Sequence, residues 1–289
     1  MTHAIPILMY HSIDRHGDPR APRWTLSPTL FAEHMHWLAE HDYRPLTISD
    51  LVSARASGKP LPPRTLAITF DDGLRDFLTG ALPVLQRHSF PATLYVVTGY
   101  VGKTSRWSRS LGEADRPMLS WGELRFISEH GIECGAHTHS HPQLDIIPRA
   151  GAFAEILRSK ASLEDHLSRE VRTFAYPHGY ACRATRHLVR QAGFTSACRV
   201  RHALSSTEED HFALSRVIMT SNMEARDLGP LLAGENLPIA PPPDRFLAAG
   251  WRLARKVNHS LRRWSERSMA IADCDRAVAE DRPETGGCP

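Results

Sequence analysis

The sequence predicts an α/β protein in which a parallel sheet or barrel carries its helices on the outside. Three observations point there. Short apolar runs alternate with longer helical patterns, helix ends carry capping residues, and polar clusters follow directly after the apolar runs. In order, residues 5–10, 65–70, 92–97, 132–135 and 171–176 read as strands, and 213–219 as a late strand. Residues 28–41, 77–88, 121–129, 152–167 and 184–191 read as helices between them. Ser27 before Pro28 is an N-cap followed by proline at the first helical position. Ser120 with Glu123 makes a capping box whose helix should stop at Gly131, and Gly193 is placed to end another. Repeated strand-helix alternation of this kind favours one domain, over residues 1–229, rather than two.

Composition excludes several classes. With 35 Lys and Arg against 32 Asp and Glu in 289 residues, the net charge of +3 rules out a strongly basic nucleic-acid binder. Five cysteines form no CxxC pair, so neither a disulfide framework nor a cysteine zinc site is expected. The N-terminus lacks the features of a secretory signal and no run of 18 apolar residues occurs, so a soluble, cytoplasmic protein is expected. Seventeen histidines stand out, because His titrates near neutral pH and is the commonest metal ligand.

The composition changes after residue 229. Pro230, Pro238 and Pro241-Pro242-Pro243 read as a linker over 230–244. Residues 245–268 carry seven bases and one acid, with Phe246, Leu253, Val257, Leu261 and Trp264 on one stripe of a helical wheel. This is a basic amphipathic helix, suited either to docking on the domain or to peripheral contact with an anionic membrane face. An acidic, disordered tail is expected to follow, up to residue 289.

Four polar clusters end predicted strands. Asp71-Asp72 follows 65–70. Successive side chains at a strand end point different ways, so one carboxylate could hold a metal while the other stays free as a base; a capping turn is the structural alternative. His137, His139 and His141 follow 132–135, and three alternate histidines read as metal ligands, in a site with open positions if two of them join one carboxylate. Tyr176-Pro177-His178-Gly179 closes the run from Val171, and His11 follows the first strand. The carboxyl edge of a parallel sheet or barrel is where active sites form, so the four clusters support one another.

The ordered set TFDDG, HTHSHP and FAYPHG resembles the polysaccharide deacetylase family, also called the NodB-homology or carbohydrate esterase 4 group, over about residues 4–220. The opening ILMYHSI is similar to the poly-N-acetylglucosamine deacetylase branch, in which an N-terminal histidine replaces the late catalytic one. The resemblance implies a distorted (β/α)7-type barrel, here with a C-terminal helical extension. It implies a hydrolase that removes N-acetyl or similar acyl groups from an amino sugar of a glycan or glycan precursor. Asp72, His137 and His141 would hold a divalent metal, most often Zn2+, with Co2+, Ni2+, Fe2+ or Mn2+ as alternatives, and His139 would be a spectator. Asp71 would be the general base and His11 the general acid. A backbone N–H around His178, with Tyr176 beside it, would serve the oxyanion and the substrate. Two departures stand out: Ala175 sits where many members carry the arginine that orients the base, and His178 replaces a tyrosine. Arg216 and His211 are weak substitutes for the missing late motif. Two other readings remain open: an amidohydrolase for a small amide, formyl or cyclic ureide substrate, and a non-catalytic carbohydrate-binding relative. The loop 99–117, with Trp107, is read as a substrate-covering element.

Overall fold

Seven short parallel strands form the frame on which the polar clusters meet. The computed structural model describes residues 4–15, 22–58, 60–111, 115–235, 237–240 and 255–256. The strands are Ile7–Tyr10 (β1), Thr65–Phe70 (β2), Ala92–Val96 (β3), Ile132–Ala136 (β4), Thr173–Ala175 (β5), Ser196–Cys198 (β6) and Val217–Ile218 (β7). They pair in parallel in the order β6-β5-β4-β3-β2-β1-β7. Leu214 bridges in parallel to Cys198, and the backbone bonds Leu214 N to Ala197 O and Arg199 N to Leu214 O tie the approach to β7 against β6. The ring therefore closes, and the predicted seven-unit barrel is the observed one. A further short strand, Arg44–Leu46, pairs with the beginning of β2 and distorts the circle there.

The helices are Pro28–Glu40 (α1), Ile48–Ala56 (α2), Leu82–Arg87 (α3), Trp121–Glu129 (α4), Arg149–Leu167 (α5), Arg183–Gln191 (α6) and Leu228–Leu232 (α7). The Ser27 cap and the Ser120/Glu123 capping box form as expected. The predicted helix 77–88 instead opens with a π-helical turn, Phe77–Ala81, before α3. Pro83 has no N–H and its ring excludes the ordinary position of the carbonyl four residues back, so a regular helix cannot run through it.

The period-2 alternation of the strands sorts their side chains into two cores. Leu8, Tyr10, Ile68, Phe70, Leu94, Val96, Phe174 and Tyr176 pack in the larger core with the surrounding helices. Ile7, Ala67, Tyr95, Ala175, Cys198 and Leu214 form the smaller core, which α2 joins through Ile48, Leu51 and Val52. The sequence reading did not include α2, although Thr47 caps it by accepting from Asp50 N. Its first N–H groups are consumed inside the barrel, Ile48 N donating to Thr93 Oγ1 and Ser49 N to the Glu133 carboxylate.

Residues 230–240, expected to open a linker, carry structure of the barrel domain. Pro230 lies within α7, Leu204 bridges to Ile239, and Ala240 N donates to Leu204 O, so residues up to 240 belong to the barrel domain. Proline reads as a breaker by composition, yet it is tolerated in the first turn of a helix, where its missing N–H has no partner to lose. The chain divides into units Met1–Pro241 and Pro242–Pro289. Apart from helical Arg255 and Lys256, the predicted basic helix 245–268 and acidic tail lie outside the described residues. No helix among the described residues is long and apolar enough to cross a membrane.

Candidate active site

Strand register brings the polar clusters to one level. Tyr10 pairs with Phe70, Phe70 with Leu94, Val96 with Ala136, and Ala136 with Phe174. The residues that follow continue the ladder: Asp71 N donates to Tyr10 O and His137 N to Val96 O. Alternation then decides direction. Thr69, Asp71, His137, Ala175 and Arg216 point into the barrel mouth, above the apolar layer of Ala67, Tyr95 and Cys198.

Asp71 and Asp72 part company at the strand end. Asp72 adopts a left-handed backbone, φ 77°, followed by Gly73 at φ 78°. A non-glycine residue in that region is strained, by about 1–3 kcal/mol, and such strain gathers at functional sites. The reversal turns Asp72 toward the histidine loop: its Oδ1 lies 3.6 Å from His137 Nε2 and 3.5 Å from His141 Nε2. Thr138 (φ 65°) and His141 (φ 64°) are also left-handed. The loop is held in this shape by Glu155 of α5, whose carboxylate accepts from His139 N, Ser140 N and Ser140 Oγ at 2.7–3.0 Å. Thr138 Oγ1 accepts from His141 N at 3.0 Å. His139 is bound instead to Thr98 Oγ1 through its Nδ1, and stays out of the triad.

The three ligand atoms lie within 4.8 Å of one another. Two ligands 2.0–2.1 Å from a tetrahedral ion are about 3.4 Å apart, so the Asp72-to-histidine spacings fit one divalent transition metal with a position left open. The donor chemistry agrees. His137 Nδ1 donates to Ala175 O at 2.8 Å, which places the proton there and leaves the Nε2 lone pair for the ion. Burial pushes His137 down to about 4, and burial together with His137 and His178 holds His141 well below the ordinary histidine range. Both rings are therefore neutral at physiological pH, as ligation requires.

Asp71 faces a different partner. Arg216, fully buried, grips it bidentately, Nη1 to Oδ1 at 2.6 Å and Nη2 to Oδ2 at 2.7 Å. Nη1 also donates to Thr69 Oγ1, Nε donates to Arg199 O, and the guanidinium lies over the Tyr95 ring at 5.6 Å. Burial alone would raise the Asp71 carboxyl, but Arg216 outweighs it and holds the group well below the usual carboxylate range. The arginine that orients Asp71 thus arrives from the residue just before β7. The sequence reading ranked Arg216 only as a weak substitute near the missing late motif, because it precedes β7 and does not end a strand as the four clusters do.

His11 sits at the end of β1, its ring 4.8 Å from that of Trp24 and its Nδ1 buried with no hydrogen-bond partner. Burial lowers it to about 4, with Asp71 favouring and Arg216 opposing its charged form. His178 is exposed and left-handed (φ 57°), with its ring 4.8 Å from that of His141. Gly179 beside it has φ 75°, and a Cβ there would lie 2.4 Å from Val200 Cβ, so only glycine fits. Tyr176 goes elsewhere: alternation sends it outward, and its hydroxyl donates to Phe212 O at 3.0 Å in the outer core. The His211 carbonyl oxygen accepts from Ala197 N as part of ring closure. Trp107, in the loop expected to cover the substrate, lies 5.5 Å ring to ring from His141, and its ring is tilted against Tyr100 at 4.9 Å.

The sequence profile described as polysaccharide deacetylase matches residues 58–197, which carry Asp71, Asp72, His137, His141 and His178. The match covers just under half of the chain, so residues 58–197 are similar to the polysaccharide deacetylase family. Among similar proteins, the polysaccharide deacetylase YxkH of Bacillus subtilis is 25% identical over 225 residues, 78% of this chain and 75% of that one. Poly-beta-1,6-N-acetyl-D-glucosamine N-deacetylase of Staphylococcus aureus is 23% identical over 208 residues, 69% of each chain. In three dimensions the chain is similar to the Streptococcus pyogenes deacetylase PplD, with a TM-score of 0.70, 23% identity, and coverage of 80% of this chain and 99% of that one. IcaB from Ammonifex degensii superposes with a TM-score of 0.68 at 23% identity, over 79% of this chain and 97% of that one.

Proposed function

We propose that this chain is a metal-dependent hydrolase that removes the N-acetyl group from an amino-sugar residue of a glycan or glycan precursor. The observation that carries the reading is the division of labour between adjacent carboxylates: Asp72 faces two neutral histidines while Asp71 is locked against Arg216. A bound divalent ion, which we take to be Zn2+, would polarise the acetamide carbonyl and acidify water. Asp72, His137 and His141 would hold it.

Asp71, ionised throughout the working range, accepts the proton of the attacking water as its oxygen adds to the carbonyl carbon. The backbone turn at His178, beside His141, is the candidate for steadying the oxyanion. The amine nitrogen must be protonated before the carbon–nitrogen bond breaks. His11 starts neutral, takes up the proton that Asp71 removed from water and passes it to the amine, and Asp71, ionised again once it has released that proton, stabilises the transient imidazolium. Trp24 and Trp107 flank this space and exclude water from it.

The test is acetate release from N-acetylated sugars and oligosaccharides by the purified protein. Release that a chelator stops, and that Asp71→Asn abolishes while metal analysis still finds one bound ion, supports the reading. Acetate release untouched by both treatments would sink it.

A further inference from the structure

Outside the metal-facing mouth, the C-terminal ends of β1 and β7 border a second concavity. It is a cavity of about 400 Å³ lined by Arg23, His202, Ile218, Thr220, Asn222 and Met223, among others. Its position is tied to the site on two sides. Ile218 comes two residues after Arg216, the residue that grips Asp71. Arg23 precedes Trp24, whose ring packs on His11 at 4.8 Å, and the Arg23 guanidinium carbon lies 5.1 Å from the centre of the same indole. A single tryptophan therefore separates the cavity from His11.

The cavity's chemistry is one-sided. None of the described residues lining it is acidic, and Arg23 makes no ion pair among the described residues. His202 Nδ1 accepts from Ile218 N at 3.1 Å, so a neutral ring carries its proton on Nε2 and offers a donor. Burial, and then Arg23, lower its pKa, which keeps it in that neutral form. His202 is held at φ 45°, a strained conformation for a non-glycine residue. A guanidinium fork and an imidazole N–H, with no carboxylate among the described lining residues, ask for a ligand group that is all acceptor. The volume exceeds a lone anion and is in the range of small-molecule sites, enough for a sugar residue that carries one.

We propose that this cavity is a subsite for an acidic sugar residue, bearing a carboxylate or a phosphate, next to the residue whose acetamide is cleaved. The register between the two residues rests on the de-N-acetylase reading; the binding of the acid group does not, and the experiment separates them. The full-length wild-type protein, loaded with zinc, is titrated calorimetrically with glucose, glucuronate and glucose 1-phosphate, none of which has an acetamide to turn over. At least one acid probe is expected to bind about tenfold tighter than glucose, as a charge-assisted contact supplies. Preference for glucuronate assigns a uronic-acid neighbour, and preference for the phosphate assigns a glycosyl phosphate. Arg23→Gln should cut the preference below threefold and Arg23→Lys should keep part of it; Arg23 is exposed, so neither threatens folding. Equal binding of all three probes, or a preference that survives Arg23→Gln because the metal alone holds the acid, overturns the proposal. An Arg23-dependent preference without acetate release from any N-acetylated sugar leaves the subsite standing and removes the deacetylase reading; the converse removes only the subsite.

Discussion

Replacing Arg216 by methionine tests the central electrostatic claim. Methionine keeps much of the side-chain length but removes the charge and every hydrogen bond to Asp71, leaving a carboxylate that is 3% exposed without its cation. Two unit charges about 4 Å apart attract by about 4 kcal/mol at an effective dielectric of 20. Breaking a buried pair by removing one partner costs about 3–5 kcal/mol. The sign follows from the shift in Asp71. Its folded pKa is depressed, so its stabilising contribution is present above the unfolded carboxylate value near 3.9 and is lost only as the pH falls through the folded value. In Arg216→Met the burial term is unopposed, the Asp71 pKa rises above the unfolded value, and the same group destabilises the fold at neutral pH. Urea unfolding of the metal-free protein at pH 7 should show the loss. In Asp71→Asn the arginine is the orphan, and in the double variant neither charge remains, so the cycle should return a coupling of about 3 kcal/mol or more. For activity, the acid limb of kcat/KM should move to higher pH, with a loss of about 100-fold or more at neutral pH. Coupling below 1 kcal/mol, together with an unmoved pH profile, would refute the assignment of Arg216 as the residue that positions the base.

Three further outcomes are expected. Glu155→Ala removes three hydrogen bonds from the His139–Ser140 backbone and hydroxyl, and metal affinity measured by chelator competition should fall about 10–100-fold, as for other residues that support ligands from behind. Tyr176→Phe removes only the bond to Phe212 O, so stability should drop by about 1 kcal/mol while kcat/KM stays within about twofold; a hundredfold loss would return Tyr176 to the substrate side. In metal-free protein, stability should fall as the pH drops below about 6.5. His11 and His137 remain neutral in the fold down to about 4 while the unfolded chain takes up protons, costing about 1.4 kcal/mol per pH unit for each histidine. A flat profile between pH 6.5 and 5 would contradict their burial as neutral rings.

Much of the site was legible because its residues end strands. Asp71, Asp72, His137, His141 and His11 each follow an apolar run, and a parallel sheet gathers such ends at one edge whatever its exact curvature. The same parity rule contained the correction for Tyr176: counting from Ala175, which faces the barrel interior, the next side chain must face out. Other features were out of reach. Nothing in a linear reading assigns Glu155, in the middle of α5, to a loop fifteen residues earlier, since the hydrogen bonds depend on how that helix lies against β4. Residues 230–240 looked like a linker because proline counts are local, whereas the contacts that retain them, Leu204 to Ile239 and Ala240, are not.

By itself, then, the sequence determined the parallel α/β class, the strand-end histidine cluster and the pair of carboxylates, because strand periodicity and strand-end chemistry are encoded within a few residues; the choice of triad and of barrel came with the family resemblance. The tertiary structure alone decided what Asp71 pairs with. The family resemblance pointed to position 175, which is alanine here, and the charge comes instead from residue 216, which reaches Asp71 only when the barrel closes. Burying an ionised carboxylate requires a cation within hydrogen-bond reach, and that is a condition on distance in space, which separation along the chain does not report.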